Sequence, residues 1–340
     1  SYLLVIFLVF YVIKVIFLIF YHWYESKFIY SYQQSLSNKV FKQYLRQNLS
    51  YFFNRNSSEF IRNLITEVDQ FILFFGSILK LLLEIIVVIG IIFLLGFINF
   101  YFAIIISLVF LFFSTLYFLI FKDKFNAWGI QRRLNMKKKI QFMQEGFDGI
   151  KIIKLLGREN FFFNKFKIHN DNLSQISRKT TFFQAVPRLL LELVGILFIG
   201  LSLYYFHYSG KDLIEITQIL TVYVAAAFRV LPSVNRIVSG LQLIKLSYPS
   251  MDGLYRELNS FKDTTKDSYE KFSFSKNISV NIVNFTYPNS KSFEISDVKI
   301  NISKGQKVGI IGESGSGKST IIEILTGVLE PSKGSIIVDG

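Results

Sequence analysis

Residues 312–320 read GESGSGKST, and this spacing of three glycines, a lysine and two hydroxyls is that of a loop that wraps an anion. Gly312, Gly315 and Gly317 admit backbone turns closed to other residues, so successive N–H groups, those of Glu313, Ser314 and Ser316 among them, aim inward at phosphate oxygens. Lys318 supplies a point charge to the β- and γ-phosphates of ATP and is the candidate catalytic residue. The Ser319 hydroxyl completes the shell of a Mg²⁺ ion, and Thr320 adds a phosphate hydrogen bond. A solvated Gly/Ser turn needs no lysine at that place. The flanks have the required form: residues 307–311 are β-rich, and residues 319–329 place Ile321, Ile322, Ile324, Leu325 and Val328 at helical spacing.

Upstream of this loop lies a different kind of chain. Apolar runs cover residues 2–21, 81–97, 100–121, 189–208 and 213–232, each near the roughly 20 residues that span a hydrocarbon core. Five membrane-crossing helices are expected, over about 1–46, 59–97, 100–145, 160–208 and 213–257 with their cytoplasmic extensions. The fifth run carries Glu215, Gln218 and Arg229, which leaves a buried amphipathic helix as its alternative. Residues 1–257 are read as a transmembrane domain, 258–276 as a polar linker and 277–340 as the start of an α/β domain. Short strands are expected at 278–285, 298–302 and 307–311. The fold class is therefore an all-α membrane bundle followed by the opening of an α/β P-loop domain.

The net charge of +14 does not indicate nucleic acid, because the cations are spread through loops. Residues 122–181 hold fourteen Lys or Arg against five acids, as loops retained in the cytoplasm do. The connections at 98–99 and 209–212 are short and nearly uncharged, which suits the outer side. Five spans ahead of a cytoplasmic nucleotide domain put the first residue outside. Together with a start at Ser1 inside an apolar run, this reads as a piece lacking its first helix. Cysteine is absent, which excludes disulfides and thiolate metal sites. His22, His169 and His207 have no metal spacing, and the aromatic residues crowding the span ends are interfacial anchors.

Several segments together resemble the exporter-type ATP-binding cassette (ABC) transporters. Residues 48–71, NLSYFFNRNSSEFIRNLITEVDQF, resemble the first cytoplasmic coupling turn of that family, and residues 146–166, GFDGIKIIKLLGRENFFFNKF, the second. VNFTYP, VGIIGESGSGKST and GSIIVDG resemble the opening of its nucleotide domain. The resemblance implies that Tyr287 stacks on adenine, that residues 312–320 bind ATP and Mg²⁺, and that the protein is a half-transporter working as a homodimer. It implies an ATPase coupled to transport in a bacterial cytoplasmic membrane, with the nucleotide domain in the cytoplasm. The chain stops before the family's signature sequence, catalytic glutamate and switch histidine, so this piece is expected to bind nucleotide poorly and hydrolyse none. AVPRLLLELVGI (185–196) and FRVLPSVNRI (228–237) are similar to the flippases of lipid-linked oligosaccharides. Export of peptides or hydrophobic small molecules is the alternative, and a membrane-anchored P-loop sensor or kinase the alternative of another class.

Ionisable residues within a bilayer are costly and count as functional candidates. Lys14, Arg229 and Arg236 are read as a cationic belt for an anionic lipid-linked substrate, Arg229 and Arg236 lying seven apart on one helix face, about 10 Å along the axis. The alternative is snorkelling to headgroups, or pairing with acids such as Glu192. Lys80 with Glu84, and Arg188 with Glu192, are i, i+4 pairs expected to neutralise one another.

Overall fold

The computed structural model describes residues 2–340 except 54, 99, 209–212, 262–273 and 288–292. It divides into two compact units, residues 1–40 with 57–259, and residues 41–56 with 260–340.

The first unit is built on long helices: α1 (Tyr2–Arg46), α2 (Ser57–Arg62), α3 (Val68–Ile98), α4 (Phe100–Asp148), α5 (Ile150–Leu156), α6 (Glu159–Tyr208) and α7 (Leu213–Ser260). Among the described residues, three helical stretches are long and apolar enough to cross a membrane: Leu4–Arg46, Ser57–Phe97 and Glu159–Tyr204. Their apolar side chains face outward, Phe17 66%, Phe93 66% and Leu201 68% exposed. Water would not tolerate such a surface, whereas lipid favours it. Much of the run at 213–232 concerns side chains outside the described set.

Helix-breaking residues fasten this bundle. Pro187 lies inside α6 and has no N–H for the carbonyl four residues earlier, on Phe183. That carbonyl accepts instead from the Tyr117 hydroxyl of α4 at 2.7 Å and from Gln242 Nε2 of α7 at 3.3 Å, so one freed acceptor joins three helices. Below it, a Cβ on Gly129 of α4 would overlap the Leu246 carbonyl oxygen of α7; only glycine permits that approach. A buried ion cluster lies at the π-helical turn Asn63–Glu67. Glu67 has no exposure, and one carboxylate oxygen lies 2.9 Å from both Arg62 Nε and Arg133 Nε. Phe110, Leu191, Val230 and Val234 form an apolar core between α4, α6 and α7.

The second unit holds β1 (Asn277–Thr286), β2 (Glu294–Ser303), α8 (Lys318–Leu325) and β3 (Lys333–Val338). The sheet order is β2–β1–β3, with both pairings antiparallel. Val280 and Ile282 of β1, two apart and so on one face, bury against Phe285, Ile295, Ile324 and Leu329, and Leu49 from the 41–56 segment packs on the same cluster. One expectation is corrected. The apolar run at 307–311 forms no strand, and Val308 and Ile311 are 48% and 96% exposed. A strand exists only where its backbone groups find a ladder, and β propensity does not supply one.

Asp339 ties the ends of this unit together. It accepts from the backbone N–H groups of Ser275 (2.6 Å), Lys276 (2.6 Å) and Asn277 (3.0 Å), and from the Ser275 hydroxyl (2.9 Å). Desolvation raises its pKa, but these four hydrogen bonds outweigh that and hold it down at about 2.

Candidate functional site

The loop at 312–320 closes directly onto α8, whose first residue is Lys318 and whose preceding residue, Gly317, has φ +90°. A Cβ at Gly317 would meet Phe293 and Ile295 side chains at 3.1 Å, so both conformation and space demand glycine there. The Lys318 ammonium lies over the loop and donates to the carbonyl oxygens of Gly312 (2.9 Å) and Glu313 (2.6 Å). The loop is thus spanned by its own cation at the N-terminus of a helix whose unsatisfied N–H groups and dipole favour an anion. Ser319 is exposed in the first turn. Glu313, Ser314, Gly315 and Ser316 are exposed too.

Thr320 differs from its neighbours. It is 6% exposed, and its hydroxyl meets that of Tyr287 at 2.9 Å, so it faces the end of β1 rather than the loop mouth. The Tyr287 ring is enclosed by Phe285, Phe53 and Phe293, with centroids 5.1, 5.2 and 5.6 Å away. Its hydroxyl also reaches Glu323 Oε2 at 3.5 Å. Sequence reasoning found Tyr287 but not Phe53, whose only signal is an aromatic triplet, Tyr51, Phe52 and Phe53.

Of the three cations read as a belt, Lys14 and Arg236 have described side chains. Lys14 is exposed on α1, its Nζ 5.2 Å from the Tyr11 ring centroid. The Arg229 side chain lies outside the described residues. Arg236 is paired, both its Nε and Nη2 engaging Glu84 of α3, the second at 3.1 Å, while Nη2 also reaches Ser233 Oγ at 3.1 Å. Glu84 therefore neutralises a partner on another helix rather than Lys80 one turn away. Arg188 and Glu192 of α6 do pair, at 2.8 Å.

Two cavities flank this stretch of α7. One, of about 490 Å³, is lined almost wholly by apolar side chains of α3, α4 and α7, such as Ile89, Phe110, Val234 and Leu241. The other, of about 510 Å³, lies between α6 and α7 and carries the polar groups. Among the described residues no group of His, Asp or Glu could hold a metal ion. His169 sits against Asn135 at 3.0 Å and stacks on Phe142.

Known proteins give the same picture. The family profile described as "ABC transporter transmembrane region" matches residues 1–231, and that described as "ABC transporter" matches residues 295–340. The nisin transport ATP-binding protein NisT of Lactococcus lactis subsp. lactis is 28% identical over 196 residues, 56% of this chain and 32% of that protein. An ATP-dependent lipid A-core flippase of Alkalilimnicola ehrlichii is 22% identical over 306 residues, 88% of this chain and 51% of the flippase. The chain thus spans about a third to a half of the length of these two relatives. Among solved structures, a bacterial Atm1-family ABC exporter with ATP bound superposes with a TM-score of 0.72 over 93% of this chain and 55% of its own, at 14% identity.

Proposed function

Because this chain belongs to the ABC transporter family, as an integral membrane protein of exporter fold, we propose that it forms part of an ATP-driven exporter that moves an amphiphile carrying a polar, saccharide-bearing head. The family leaves no place for the sensor or kinase alternative. The observation that carries the reading is the glycine loop with Lys318 folded across it at the start of α8.

The residues present fit a nucleotide. Lys318 already occupies the cradle with a positive charge bonded to two neutral carbonyls, a poor exchange for phosphate oxygens, so a triphosphate would draw the ammonium off Gly312 and Glu313. Gly312, Gly315 and Gly317 keep the loop backbone open to close approach, with the N–H groups of residues 313–320 as donors. Ser319, exposed in the first turn, would hold Mg²⁺. The nucleotide, when bound, supplies the phosphoryl transfer to water whose free energy is coupled to movement. Tyr287 would present its ring to adenine once the surrounding phenylalanines yield a face.

We place the protein in a bacterial cytoplasmic membrane, with residues 277–340 on the ATP side and a second copy as its partner. A lipid-linked saccharide is the cargo class that the similarity to lipid A-core flippases supports. The match to nisin and subtilin transport proteins favours a peptide as the second reading. The full-length protein in vesicles should cross-link a photoreactive azido-ATP in competition with ATP. Failure to label under saturating conditions refutes the proposal.

A further inference from the structure

The cavity of about 510 Å³ between α6 and α7 is lined by Arg188, Glu192, Leu231, Pro232, Asn235 and Arg236. Arg188 and Glu192 sit where the apolar run 189–208 begins, the depth at which polar heads meet hydrocarbon. We propose that this cavity binds an uncharged, hydroxyl-bearing group, the saccharide part of an amphiphile, and that it discriminates against phosphate. The inference rests on the export reading above and deepens it by naming the part of the cargo that this site reads.

The charge balance comes first. Both guanidinium groups are already matched, Arg188 by Glu192 and Arg236 by Glu84. A phosphate entering here would meet the Glu192 carboxylate in the lining and Glu84 behind Arg236, and at either guanidinium it would have to compete with an existing pair. An ammonium meets the mirror image of that problem. A neutral ligand disturbs neither pair.

The hydrogen-bonding inventory comes second. Asn235 Oδ1 is buried and accepts no hydrogen bond, which costs free energy until a donor arrives. This is an acceptor. Donors stand beside it, since a guanidinium has five N–H groups and one carboxylate does not use them all; the Arg188 and Arg236 side chains are 69% and 49% exposed. A surface of adjacent donors and acceptors without net charge is what a sugar hydroxyl satisfies, because it both donates and accepts. Leu231 and Pro232 add the apolar wall that suits the C–H faces of a pyranose ring.

The test uses the full-length protein in lipid nanodiscs and three probes with one alkyl chain, octyl-β-glucoside, octyl phosphate and octylamine, each below its micellar concentration and followed by native mass spectrometry. The wild type should bind the glucoside about tenfold more tightly than either charged probe, the scale of one well-made polar contact. Asn235→Leu should lose that preference and leave the charged probes unchanged. Glu84→Gln frees Arg236 and should raise octyl phosphate binding, a gain that misfolding cannot imitate. Tighter binding of phosphate or amine by the wild type, no glucoside binding, or glucoside binding indifferent to Asn235→Leu overturns the proposal. Azido-ATP labelling of the same samples tests the transporter reading separately: intact labelling with no probe preference defeats only this inference.

Discussion

Removing the Glu67 carboxylate should be among the most damaging single changes in the helical unit. The side chain has no exposure, Arg62 is 6% exposed, and the Nε atoms of both arginines lie 2.9 Å from one oxygen, to which Arg133 donates. Glu67→Ala leaves the Arg62 guanidinium buried without its counter-charge, and breaking a buried pair from one side costs about 3–5 kcal/mol. Arg133 is half-exposed and can recover water, so little is added for it. At about 2–4 °C per kcal/mol for a domain of this size, the thermal midpoint should fall by roughly 6–20 °C. Intrinsic fluorescence is suited to the measurement, because Trp128 lies on α4 five residues before Arg133. Replacing both partners, Glu67→Leu with Arg62→Leu, removes the charge and its desolvation together and should restore most of the loss. A cost under about 1 kcal/mol for the single change, or a double variant worse than the single, would refute the account of Glu67 as a buried counter-ion.

Lys318→Ala should weaken azido-ATP labelling by about two orders of magnitude without altering the thermal midpoint, since the ammonium bonds only loop carbonyls; retained labelling would remove Lys318 from the nucleotide site. Asp339 makes a pH prediction. Its folded pKa is held at about 2, below the ordinary aspartate value, so its stabilisation of the sheet unit is fully present above that ordinary value and is lost as pH falls toward 2. Asp339→Asn should flatten that acid limb in denaturation curves, and an unchanged limb would show that other groups set it. Gly129→Ala forces α4 from the Leu246 carbonyl of α7 and should cost about 1–3 kcal/mol as overpacking, read as a lower midpoint; a neutral result would mean the two helices are free to part.

What could be read from the sequence was what is local in the chain. A membrane run is legible because length and apolarity act residue by residue, and the phosphate loop because nine consecutive positions fix its shape. The strand expected at 307–311 failed for the opposite reason: Val308 and Ile311 have the right propensity, but the partner that makes a strand is elsewhere in space, and β1 already pairs with β2 and β3 on its two sides. The enclosure of Tyr287 was similarly hidden. Phe53 reaches it from more than two hundred residues away in the chain, and no pattern around residue 53 announces that contact.

The membrane charges show how the same limit shapes a functional reading. Hydropathy prices each Lys, Arg or Glu singly, so Arg236 stands out as an expensive cation in search of an anionic ligand. In the folded bundle the cost is met by Glu84, 152 positions away, a pairing no window on one helix can detect. The pair that could be read, Arg188 with Glu192, lies one turn apart on α6. Once both pairs are in place, the residue that attracted no notice becomes the informative one. Asn235 is uncharged and ordinary on any hydropathy scale, yet its Oδ1 is a buried acceptor without a donor. In a region whose charges are balanced, it is the unspent hydrogen-bonding capacity that says what kind of ligand belongs there.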